Sequence, residues 1–143
     1  MNQNPFKVFA LVVLALGLVA APIFAHHSAA MYDTSKKITL EGVVKELAWT
    51  NPHVVLTIIA NAKDGQPAQT WSLETTSPGN LTRLGWTKRT FKAGDKVKVL
   101  VSPLRNGKPG AWFVSGVLLD TGKEVVGGLP TVEPDDDEPD HKK

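Results

Sequence analysis

His26 and His27 stand side by side in the stretch "APIFAHHSAAMYD", directly after an apolar run. A third histidine, His53, closes the turn-like stretch "WTNPHV". If the chain is cut after Ala25, His26 carries a free α-amino group. That amine and its own imidazole form a chelate. One further imidazole, from His27 or His53, completes a T-shaped three-nitrogen set of the kind that suits Cu(II). The plainer alternative is structural: a histidine pair tolerated in an extended end, and a histidine after Asn-Pro that caps a turn through the backbone. A metal needs a fixed ligand count and geometry, which spacing alone does not supply.

The segment before the histidines decides whether the amine is exposed. Val8 to Ala20, "VFALVVLALGLVA", is unbroken apolar sequence. Pro22 then breaks any helix, and Ile23-Phe24-Ala25 offers a small residue at the cut. This is the three-part pattern of a secretory signal peptide. The run falls short of the roughly 20 residues that a membrane span requires, so no stable span is expected after cleavage. The expected location is periplasmic or secreted, with an uncleaved N-terminal anchor as the alternative. The chain has no cysteine. Disulfides, thiolate metal sites and thiol chemistry are therefore excluded, and packing alone must hold the domain.

Other residues could bind without catalysing. Trp49 and Asn51 border the turn before His53, while Arg105 and Lys108 lie in the polar loop "SPLRNGKPG" (Ser102 to Gly110). Arg83 and Trp86 flank a helix stop and could form a cationic-aromatic patch for a ligand or partner. The simpler reading of Trp86 is a plug over one end of the core, its indole N–H needing a partner there. Trp71 and Trp112 alternate with polar residues and suit the core. Glu74 and Asp95 are single carboxylates. Nucleophile elbows, phosphate loops, HExxH helices and dinucleotide fingerprints are all missing, so the reading leans against an enzyme.

These residues need a scaffold. "ITLEGVVKELAW" reads as a long first strand with a break in phase near Gly42, where a bulge or bend is expected. "HVVLTIIA" is a second strand, and Asp64-Gly65 marks a hairpin before the third, "QTWSLET". Ser77 suits a helix N-cap, Pro78 the first helical position and Gly85 the stop, giving a short helix. "KVKVLV" and "AWFVSGVLL" are strands four and five, and "EVV" is a short extra strand. Three strands, a helix and two strands are the element order of an OB-fold, a five-stranded Greek-key barrel. The expected fold class is all-β with small α content. The domain boundaries are a signal peptide over 1–25, an extended lead-in over 26–37, an OB-like barrel over 38–126 and a disordered acidic tail over 127–143. In OB-folds the loops joining strands one to two and four to five flank the usual ligand face; here they carry His53 and Arg105.

Charge divides the same way. Six of the 14 acidic residues lie after Pro130, leaving a modestly basic body. A basic OB-like barrel with aromatics is compatible with nucleic acid, but export argues against that ligand.

The motifs "HHS", "WTNPHV", "SPGNLTRLGWT" and "KAGDKVKV" together resemble a family of small exported bacterial proteins classed as a domain of unknown function. The resemblance runs from His26 to about Val125. It implies an exported small β domain and no settled activity. The expectation is an exported binding or accessory module, with His26, His27 and His53 as candidate ligands for Cu(II). The alternatives are a metal-free interaction module using the surface around Trp86 and Arg83, and a minor copper-dependent enzyme. The expected partner is a small ligand, a metal ion or a protein.

Overall fold

A computed structural model describes residues 29–62, 65 and 67–128. The expected signal peptide, His26, His27 and the tail from 129 onward lie outside them. Among the described residues six strands form, β1 (Ile38–Ala48), β2 (Val55–Ala60), β3 (Gln69–Glu74), β4 (Lys96–Pro103), β5 (Gly110–Leu118) and β6 (Lys123–Val126), with one short α-helix, α1 (Pro78–Arg83). The sheet order is β3-β2-β1-β4-β5-β6, and β3 returns to pair with β5. That last pairing closes five strands into an OB-like barrel, as the element order predicts. β6 extends the sheet beyond β5.

Alternation drives the closure. In β4, Val97, Val99 and Val101 point inward while Lys96 and Lys98 are exposed, the period-two pattern of a strand with one face on a core. Leu56, Ile58, Leu73 and Phe113 meet them from the other strands, all fully buried. Helix α1 covers one end. Ser77 caps it with its hydroxyl, Pro78 opens it, and Gly85 follows with a positive φ of 84°. Leu81 enters the core from this helix.

β1 is the shared spine. Its first half pairs with β4 and its second half with β2, the two ladders overlapping at Gly42 and Val43. The register slips between Val44 and Glu46, so the bulge sits at Lys45 and not at Gly42. Gly42 serves a different need. A Cβ there would stand 2.2 Å from the Ile59 carbonyl oxygen, so only glycine lets β2 approach.

β5 also divides its pairings. Residues 110–112 run parallel to Ser72–Glu74, while Ser115–Leu118 pair with β6. The barrel is thus closed by a seam of three residue pairs. The expected loop over 102–110 is shorter than its composition suggests, because β4 continues through Pro103 and β5 begins at Gly110.

The lead-in lies across this region. A 3-10 turn spans Ala29–Met31, and Tyr32 makes an isolated bridge with Leu104. The Asp33 amide donates to the Pro103 carbonyl at 2.8 Å, and the Arg105 amide donates to the Met31 carbonyl at 3.0 Å. The segment is thereby fastened to the β4–β5 loop.

Candidate functional site

His53 sits just before β2, in a turn that contains a cis Asn51-Pro52 bond. Glu74 ends β3, and Val55 at the start of β2 pairs with it. Adjacent strand ends therefore bring the two side chains together. His53 Nδ1 contacts Glu74 Oε1. A carboxylate only accepts, so this contact favours the tautomer with the hydrogen on Nδ1, which leaves Nε2 for another partner. The side chains are 28% and 16% exposed, respectively, placing the imidazole at the boundary between core and solvent.

Glu74 is shared. The Tyr32 hydroxyl donates to its other oxygen, Oε2, at 2.5 Å. Tyr32 is only 4% exposed. Burial raises its phenol pKa well above the usual value, and the hydrogen bond to Glu74 and that group's negative charge push it the same way. The phenol is thus held as a neutral donor.

Trp112 lies opposite Glu74 across the parallel seam and forms the back wall. Its ring meets Tyr32 edge-on at 5.7 Å and His53 at 6.1 Å, within the range of favourable aromatic packing. Its Nε1 donates to the Gly128 carbonyl at 2.9 Å. A Cβ on Gly128 would come within 2.8 Å of Thr76, so this close passage needs a glycine.

Of the residues that the sequence assigns to a site, the structure brings His53 into this cluster, beside Glu74, read there as a lone carboxylate, and Trp112, read as core. His26 and His27 lie outside the described residues. Trp49 is partly buried against the core, and Asn51 is exposed. Arg105 turns toward the lead-in, its Nε donating to the Ala30 carbonyl at 3.0 Å, with Asp33 3.9 Å from its guanidinium. The Ser35 hydroxyl bonded to Asp33 holds that carboxyl below its usual range, and Arg105 adds to the effect. Lys108 is exposed in the same loop.

Trp86 corrects an expectation. It is 2% exposed and donates its Nε1 to the Val126 carbonyl at 2.9 Å. Phe91 and Phe113 meet its ring edge-on, each at 5.3 Å. Its indole is core, as the plug reading holds, and leaves no aromatic face for a partner. Arg83 is exposed and bonds the Asn80 side chain at 2.9 Å.

Tyr32, Glu74 and Trp112 are the members of the cluster that sequence reasoning did not assign to a site. Tyr32 is the sole tyrosine, set in a lead-in of small and polar residues, and that isolation is the one signal that marks it. Among the described residues no group of three potential ligands stands ready for a metal, and no helix is long and apolar enough to cross a membrane. What the cluster offers is one oriented imidazole beside a fastened N-terminal segment.

A family of unknown function, DUF6152, matches residues 13–112. The chain belongs to this family. No curated protein and no solved structure matches the chain.

Proposed function

We propose that the protein is an exported, periplasmic binding module that takes up a transition metal, Cu(II) foremost, on His53 together with His26 and His27. The observation that carries this reading is the pairing of His53 Nδ1 with Glu74. A carboxylate on one imidazole nitrogen fixes the ring and raises the basicity of the other, the usual outer partner of a metal-bound histidine. The lead-in supports it as well. Tyr32 shares Glu74 with His53, and His26 lies six positions before Tyr32. Three of those positions form the 3-10 turn, and the stretch before it, if extended, covers roughly 3.3 Å per residue, a length that supports contact between the N-terminal histidines and His53. The signal-peptide pattern supplies the free amine that completes the chelate.

A metal-free interaction module remains the competing reading. It rests on Leu84, 49% exposed at the end of α1 beside Arg83.

The test is Cu(II) titration, followed by electron paramagnetic resonance, of chain beginning at His26. Two variants accompany it: one with an extra residue before His26, and His53→Ala. Tight binding with nitrogen couplings, weakened in both variants, is the expected result. Weak binding, or binding indifferent to both changes, overturns the metal reading and turns attention to the Leu84 surface.

A further inference from the structure

The described part of the lead-in contributes directly to the cluster at His53. Its Tyr32 is buried against Trp112 and supplies one of the two hydrogen bonds that Glu74 accepts. The other oxygen of the same carboxylate holds His53 Nδ1. We infer that Tyr32 is a positioning residue: acting through Glu74, it fixes the ring hydrogen of His53 on Nδ1 and so presents Nε2 as the donor nitrogen.

The argument follows from the arrangement of donors. Tyr32 occupies Oε2 and fixes the plane of the carboxylate. Oε1 then faces His53, and only an Nδ1–H can satisfy it. Trp112 restrains the ring from the side at 6.1 Å, and Thr50 bonds the His53 carbonyl at 3.4 Å, holding the backbone on which the ring turns. Without the phenol, Oε2 loses its donor and the carboxylate is free to rotate. The acceptor that favours a hydrogen on Nδ1 is then less firmly placed, and the preference between the two tautomers weakens.

The consequence is a coupling. Fastening of the lead-in and readiness of His53 become one event. Under the metal reading proposed above, on which this part rests, a metal on Nε2 favours the fastened lead-in, and the fastened lead-in raises metal affinity by the same factor.

The tautomer is tested without metal. Long-range proton–nitrogen correlation spectra of 15N-labelled chain beginning at His26 read the ring nitrogens, with His53→Ala identifying the signals. The pH is set where the ring is neutral. The expected result is a hydrogen on Nδ1 of His53 in the parent. In Tyr32→Phe the signals move toward a mixture of tautomers, and in Glu74→Gln they move further. The same Tyr32→Phe protein is then titrated with Cu(II), where a loss of roughly tenfold or more in affinity is expected. A hydrogen on Nε2 in the parent, or His53 signals unchanged in Tyr32→Phe, overturns the inference, whatever Glu74→Gln does. If Tyr32→Phe does not fold, fluorotyrosine at this sole tyrosine, which keeps the ring and changes the strength of the phenol's hydrogen bond, takes its place: shifted His53 ring signals are expected, and unshifted ones overturn the inference. Tautomers that shift as expected in a protein that binds no Cu(II) support the positioning role and defeat only the metal reading.

Discussion

Tyr32 and Glu74 are separated by 42 positions in the chain and joined by a hydrogen bond of 2.5 Å. That bond ties the N-terminal lead-in to the end of β3 and makes one carboxylate serve two elements. Because Tyr32 is the sole tyrosine, its ionisation can be followed without interference from another phenol. Its pKa is raised by burial, with Glu74 adding to the shift. The unfolded chain therefore gives up this proton first, from about pH 10 upward. The stability linked to the phenol is fully present below that pH and is lost as pH rises above it. Phenolate absorbance of the folded protein is expected to lag behind that of a free tyrosine. Chemical denaturation of parent and Tyr32→Phe, compared from pH 8 to 11, should show a falling stability difference as the pH passes about 10.

Sharing also makes the two partners of the His53–Glu74 contact unequal. His53→Ala leaves Glu74 with its Tyr32 bond, and a cost of about 1 kcal/mol is expected. Glu74→Ala leaves the buried Tyr32 hydroxyl without its acceptor, which costs about 1–3 kcal/mol for the unmatched group. Urea midpoints of the two variants should fall in that order. Equal midpoints would show that Tyr32 finds another acceptor.

Two glycines should respond oppositely to the same change. At Gly42 an added Cβ meets the Ile59 carbonyl oxygen at 2.2 Å, a contact with backbone that a rotamer change does not relieve. Gly42→Ala is expected to cost about 3 kcal/mol or more. At Gly79, inside α1, an added Cβ meets nothing within 4 Å. Gly79→Ala should stabilise by about 0.5–1 kcal/mol, since alanine loses less backbone entropy in a helix. Thermal melts of both variants check the pair.

Trp86 and Leu84 are near neighbours in sequence with opposite expectations. Trp86→Phe removes the donor to the Val126 carbonyl and opens space among Phe91 and Phe113. A loss of about 1–3 kcal/mol is expected from the unmatched carbonyl and the gap. Leu84→Ser, at an exposed position, should change stability by less than about 0.5 kcal/mol. Urea denaturation of both variants decides whether Trp86 is structural.

The barrel was legible in the sequence because its signals are local. Alternating lysine and valine in β4, the Ser77-Pro78 helix start and Gly85 after the helix each act over a few residues. Gly42 was legible as special but not for the right reason. Its role depends on how closely Ile59 approaches, whereas the bulge at Lys45 carries no residue that announces it. The site was legible only in part. His53 stood out by its type and its turn. Glu74 passed as a lone carboxylate, because its partners come from segments 21 and 42 positions away. Nothing local in "QTWSLET" tells that the last residue of the strand will meet a tyrosine from the lead-in. Trp86 could be read as plug or patch until its N–H was matched to Val126.

The three-pair seam between β3 and β5 has a consequence for how the molecule assembles. The β1-β2-β3 meander joins neighbours in sequence and can form early. β4 must then return to β1, pairing Val101 with Ile38, and β5 must find Ser72–Glu74 across a long loop of chain. Such distant pairings place a small β domain among the slower folders, from milliseconds to seconds. Glu74 and Trp112 are opposite each other in that seam, so the wall and the carboxylate of the site meet only when the barrel closes. A half-formed chain with only these hairpins in place can bring His53 to Glu74 but has neither Trp112 nor Tyr32 beside them, so its imidazole is not yet fixed. Any activity that depends on this imidazole should return on refolding with the slowest phase, not with the appearance of strands.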